Sequence, residues 1–146
     1  MKRRRVKQRG SVLVLVAVSI TLFCLLLACA LDFGWVILAK SELQSAADSA
    51  ALAGAAMLAD EDIVLGQPDQ DDDVVLARDY AELFAGQNSA ANRTLLLDRN
   101  DLNEVNGGVV VGYIDDPLDL SSALETGSVS TYNSVQVETS LKQALN

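Results

Sequence analysis

Twenty acids, two cysteines and no histidine set the chemistry open to this chain of 146 residues. The densest group of acids is the run from Asp69 through Asp71, Asp72 and Asp73, a set of hard oxygen ligands suited to calcium. A calcium loop of the EF-hand kind needs glycine at its sixth position and an acid at its twelfth. Counted from Asp69, those places hold Val74 and Tyr80. The acids are therefore expected just before a helix N-terminus, where negative charge is favourable. Without histidine the chain lacks the commonest general base and the commonest zinc ligand. Cys24 and Cys29 both lie in an uncharged apolar run, at a spacing that does not share a helical face, so no disulfide framework is expected. Asn92, in Asn-Arg-Thr, is formally a glycosylation acceptor of a kind common by chance. The nucleophile elbow, the P-loop and the dinucleotide fingerprint are missing. No catalytic residue, metal or cofactor is expected, and the chain is not expected to be an enzyme.

Stepping from these groups to the segments that carry them, the dominant one is SVLVLVAVSITLFCLLLACAL, Ser11 to Leu31. As a helix this run rises about 32 Å, close to the roughly 30 Å of a bilayer's hydrocarbon. Its Leu, Val, Ile and Phe residues favour insertion by about 0.3–0.6 kcal/mol each. Ser11 and Leu31 bound the expected anchor, and Trp35 follows where an interfacial aromatic belongs. Six cations precede the run, from Lys2 to Arg9, and every acid lies at or after Asp32. The positive-inside rule then puts the N-terminus in the cytoplasm and residues 32–146 outside.

A secretory signal would have a shorter apolar region, of about 7–15 residues. Ala28 to Ala30 would still serve as a cleavage site, and Leu26 to Cys29 loosely resembles a lipoprotein box. An exported acidic binding module or a lipoprotein acylated on Cys29 is thus the alternative to a retained anchor. From Asp32 onward five cations face the twenty acids, a net of −15 that repels phosphate backbones, so no nucleic acid is expected as a partner. The basic arm instead suits membrane lipid.

The periodicity predicts an α+β protein. The helical pattern continues from Asp32 to about Asp62, with one early break at Gly34. Leu43, Ala47, Ala50, Gly54, Met57 and Leu58 fall on one helical stripe. Ala46, Ala50 and Gly54 recur every four residues, spacing that lets another helix approach closely. Ala46, Ala47, Ala50 and Gly54 are therefore the expected packing surface for a partner helix, from another protein or a second copy. The expected order is a basic arm (1–10), a transmembrane helix (11–31), an Ala-rich projecting helix (32–62), an acidic linker (63–73) and a small α+β unit (74–146). In that unit a helix is expected over Val74–Ala85, with Leu76, Tyr80, Leu83 and Phe84 near one side and Gly86 as C-cap. Strands are expected at Thr94–Leu97, Val109–Ile114 and Ser134–Ser140, with turns at Asn106–Gly108 and Asp115–Pro117. The last strand lies almost at the C-terminus, where a longer relative would continue.

The sequence also resembles a known family. RGSV at Arg9–Val12, DFG at Asp32–Gly34 and ELQSAADSAALAGA at Glu42–Ala55 are similar to the N-terminal domain of TadG-like proteins of the Tad (Flp, tight-adherence) pilus-assembly system. ARDYAELFAGQN at Ala77–Asn88, GGVVVGYID and NSVQVE at Asn133–Glu138 match the family more loosely. Two features depart from it. The metal-binding D-x-S-x-S motif of longer members is missing, so metal-dependent adhesion does not carry over. Related pseudopilins are cut after a glycine with Glu at the fifth mature position, whereas Leu15 stands fifth after Gly10. The resemblance implies a single-pass protein of the bacterial inner membrane that helps to assemble or anchor a pilus or related secretion machine. Other pilus-assembly proteins are the partners it implies. Entry into the filament itself, as a degenerate pseudopilin, is a further reading.

Overall fold

A computed structural model describes residues 9–59, 70–119, 121–127 and 129–141. Most of the basic arm and of the expected acidic linker lies outside these residues. The first element, α1, is one helix over Arg9–Met57. At 1.5 Å per residue its 49 residues extend about 74 Å. The expected break at Gly34 does not occur; the helix runs through it, and a Cβ there would meet nothing within 4 Å. No proline interrupts α1, and isolated glycine costs a helix only about 1 kcal/mol. The chain divides into two compact units between Leu38 and Ala39.

In the first unit every described side chain, Val12 to Leu38, is exposed. Leu13, Leu31 and Ile37 stand 74, 75 and 69% open. Ser19 and Thr21 donate their hydroxyls to the carbonyls of Leu15 and Ala17, four residues back, at 2.9 and 3.0 Å. Their hydroxyls are thereby satisfied within the helix.

The second unit combines the end of α1 with α2 (Asp71–Gly86), two hairpin strands, β1 (Ser89–Ala90) and β2 (Arg93–Thr94), and a sheet of β3 (Val109–Gly112) and β4 (Ser134–Val137). Both strand pairs are antiparallel. The architecture is α+β, as the sequence predicts. Several boundaries differ from expectation: α1 ends at Met57, before the expected Asp62, and β3 and β4 end at Gly112 and Val137, short of Ile114 and Ser140. Helix α2 begins at Asp71, so Asp71, Asp72 and Asp73 occupy its first turn rather than precede it. Gly86 is its last residue, and Gln87 closes it in the right-handed region, so no left-handed glycine cap is used. Of the expected Thr94–Leu97 strand only Thr94 lies in β2; the Leu95 N–H still reaches the Asn88 carbonyl at 3.5 Å, and beyond it Leu97 is buried and Leu96 exposed outside any strand.

The core is built from small side chains. Ala50 of α1, Leu58 in the turn that follows it, Ala77, Ala81 and Ala85 of α2, and Val109 and Val111 of β3 form one buried cluster with Leu97. Alanine at this contact lets the two helices approach at backbone distance. A Cβ on Gly54 would sit 2.9 Å from the Ala77 carbonyl and 3.2 Å from Val135 Cγ1, so only glycine fits at the crossing. The larger residues of α2 turn outward: Leu76, Tyr80, Leu83 and Phe84, the side singled out by periodicity, are 37–52% exposed. Shape decides this orientation. A bulky α2 face could not seat against Gly54.

Candidate functional site: one anchor face, one small-residue face and two sheet edges

The residues expected to anchor the protein lie in α1. Ser11 falls in its first turns, Leu31 is exposed, and Trp35 is 57% exposed on the same helix. By length and composition this helix is able to cross a membrane, and no part of its most apolar window is buried against the rest of the chain. Cys24 and Cys29 are free and exposed.

The residues expected to receive a partner helix separate into two environments. Ala46, Ala50 and Gly54 are buried. The helix seated at Gly54 is α2 of the same chain, through Ala77 and Ala81. Ala46 packs beneath the β1–β2 hairpin with Ala90 and Leu95. Ala47 is half-buried and faces elsewhere, into a groove of about 340 Å³ between α1 and β4 that it lines with Lys40, Asp48, Ala51, Val137 and Glu138.

Polar bonds fasten the unit to α1. Glu42 accepts a hydrogen bond from the Ala91 N–H at 2.8 Å. Asn88 donates to Ser49 Oγ at 3.0 Å and to the Phe84 carbonyl at 2.7 Å, closing the end of α2 onto α1. Thr139 donates to the Leu43 carbonyl at 3.2 Å. Ala91 and Asn92, at the tip of the β1–β2 hairpin, both have positive φ (50° and 62°), the geometry of a two-residue primed turn.

Four side-chain amides act as substitute peptide groups, a role that the sequence reading missed. Gln70 both donates to the Tyr132 carbonyl (3.0 Å) and accepts from its N–H (2.6 Å). Asn133 does the same with Ile114, both bonds at 2.8 Å. Asn103 accepts from the Val111 N–H at 2.9 Å and donates to its carbonyl at 2.8 Å. Asn100, buried, donates to the carbonyls of Glu104 and Val109, both at 2.8 Å. Asn100 and Asn103 sit in the left-handed region (φ 55° and 52°), which asparagine tolerates better than most residues. The available signal was three asparagines within seven residues, Asn100, Asn103 and Asn106, just before a valine run.

These amides make the two edges of the β3–β4 sheet unlike. Glu138 N–H bonds the Gly108 carbonyl at 2.9 Å. In the observed register the next bonded pair is Val110 with Gln136, so Val109 and Val111 point their peptide groups away from β4, and Val135 and Val137 point theirs away from β3. The β3 edge is covered by Asn100 and Asn103. The β4 edge borders the groove floored by Ala47 and Ala51.

Charges do not converge on a reactive centre. Arg99 pairs with Asp79 at 3.0 Å and Asp101 at 3.2 Å, on the surface, where such pairs contribute about 0–1 kcal/mol. Arg78 is buried, donates to the Asp101 carbonyl at 3.3 Å and leaves its Nε unpartnered. Burial lowers its pKa, and the neighbouring Asp101 and Tyr132 pull it back up. Asp119 is held below the usual carboxylate range by the hydroxyl and the N–H of Ser121. Among the described residues no group of three acids or cysteines is placed to hold a metal.

The family model described as Flp pilus-assembly TadE/G-like matches residues 10–57. This stretch is therefore similar to TadE/G-like proteins over about the first third of the chain. The match coincides with α1, so the TadE/G-like segment comprises both the exposed apolar half and the small-residue half of that helix. No curated protein and no solved structure matches the chain.

Proposed function

We propose that this protein is a non-catalytic, single-pass component of the bacterial inner membrane that helps to assemble or anchor a Tad-type pilus or related envelope secretion machine. The observation that carries this reading is the coincidence of the TadE/G-like match with one uninterrupted helix whose first half exposes only apolar and small side chains up to Asp32. Such a surface is costly in water and favourable in hydrocarbon. The cations before it and the acids after it support a cytoplasmic N-terminus and an extracytoplasmic residue range 32–146. In this role the apolar half holds membrane lipid and the folded unit meets other pilus-assembly proteins.

The test is the intact mass of a C-terminally tagged protein from membrane and soluble fractions, with alkaline phosphatase fused after residue 141 reporting the side. Full-length mass, resistance to alkaline extraction and an active phosphatase are expected. A soluble species about thirty residues shorter would replace the anchor with an exported binding module. A membrane-bound species beginning at Cys29 with added lipid mass would make it a lipoprotein. Loss of pilus assembly on deletion, with filaments free of the protein, is the expected phenotype; its presence along purified filaments would instead make it a filament subunit.

A further inference from the structure

The unlike edges of the β3–β4 sheet carry an inference beyond this role. An open strand edge is a template for another chain, and proteins that keep edges from pairing cover them. Here one edge is capped: Asn100 takes the outward carbonyl of Val109, and Asn103 takes both outward groups of Val111, with three bonds of 2.8–2.9 Å. On the other edge Val135 and Val137 direct their N–H and C=O groups outward, and no side chain among the described residues bonds them. Beside that edge lies the groove of about 340 Å³, floored by the half-buried Ala47 and Ala51 of α1. Small residues there leave room for side chains from an added strand. Covering one edge while leaving its counterpart open beside a shaped groove directs strand addition to a single place.

We propose that the β4 edge receives an extended, basic segment of another polypeptide, which adds a third strand to the sheet over Ala47 and Ala51. Charge selects the occupant. Asp48 and Glu138 line the groove against a single cation, Lys40, and the chain from Asp32 onward carries −15. A second copy would bring the same excess of negative charge to the contact, whereas a strand with lysine or arginine on its outward face would neutralise it. The strand's peptide groups would bond Val135 and Val137, and its alternate small or β-branched side chains would rest on the alanines. This gives the assembly reading a partner's chemistry, and its test does not depend on the fractionation result.

The experiment is amide hydrogen exchange of the full-length protein in detergent micelles, read at Val135, Gln136 and Val137. The probes are a capped heptapeptide of alternating lysine and valine and its glutamate–valine counterpart. In the free protein Gln136 is expected to be protected and its two neighbours open. The basic peptide is expected to slow exchange at Val135 and Val137 about tenfold or more, the acidic one to leave it unchanged. Ala51→Arg is expected to abolish the effect while Val110 keeps its protection, which shows the variant folded. The proposal is overturned if Val135 and Val137 are already protected at high dilution, or if neither peptide slows them. It is equally overturned if both peptides act alike, or if protection grows with protein concentration alone, since a second copy would then be the occupant.

Discussion

The two halves of α1 differ in what they expose and what they bury. From Val12 to Leu38 the helix is dense in large apolar side chains, and all of them are exposed. From Ala39 to Met57 it is mostly alanine, serine and glycine, and there Ala39, Ala46, Ala50 and Gly54 are buried. Hydrophobicity alone would rank these halves the other way round. The difference teaches that two forces act on one helix. The first half has the length and composition to cross a bilayer, and its size and apolarity point outward. The second half is matched to another backbone, and what counts there is how little side chain stands in the way.

Substitutions can break this contrast at either end. In the first half, Leu25→Asp should make insertion about 3–4 kcal/mol less favourable, from the difference between the two residues at a helix centre. Alkaline extraction should then release the variant, and unchanged retention would mean that the apolar half is not what holds the protein in the membrane. In the second half, Gly54→Val drives atoms into the Ala77 carbonyl and Val135 and should cost about 2–3 kcal/mol of folding stability. Thermal unfolding in micelles would show a lowered midpoint with membrane retention intact. Equal stability would mean that α2 does not seat at that glycine. Ala50→Leu, also fully buried, should act in the same direction.

Smaller effects sharpen the picture within the folded unit. Asn103→Ala removes two bonds to Val111 and places a less tolerant residue at φ 52°, a loss of about 2 kcal/mol. Faster exchange of the Val111 amide is the accompanying sign. Ala91→Gly should stabilise by about 0.5–1 kcal/mol, because Ala91 has φ 50° in a primed turn and pays for its Cβ there. A lowered denaturation midpoint would count against that turn geometry.

The smallest effect is one of pH. Asp119 has its folded pKa depressed by Ser121, so its contribution is present above the ordinary aspartate range and is lost as pH falls through the depressed value. Carbon-detected titration should place Asp119 below the ordinary aspartate value and show the Ser121 amide shifting with it. Titration at or above that value would remove the bond.

Several of these features are legible in the residue order. An uncharged run of bilayer length, cations before it and acids after it need no tertiary structure to be recognised. The TadE/G-like pattern is equally local, because LQSAADSAALAG is a contiguous stretch of α1. The α+β class follows from the change of period after Asn88. The orientation of α2 was less legible. Periodicity finds Leu76, Tyr80, Leu83 and Phe84 on one side, but alanine is nearly silent in such a pattern, so the buried Ala77, Ala81 and Ala85 face gives no signal. Thr94–Leu97 has strand composition yet finds only one paired residue, because pairing needs a neighbour that only the fold supplies.

What the sequence alone determined, then, is the character of each part: an uncharged run of bilayer length and an acidic remainder. These are sums over residues and do not depend on which residues meet. What the tertiary structure decided is which small residues are filled by the chain itself and which stay open. Ala46, Ala50 and Gly54 are consumed by contacts within the chain, and Ala47 faces a groove. Side-chain amides cap one edge of the β3–β4 sheet, and no side chain among the described residues bonds the other. Both outcomes depend on contacts between residues far apart in the chain, such as Asn103 with Val111 or Gly54 with Ala77 and Val135, and distance along the chain carries no record of which of them close.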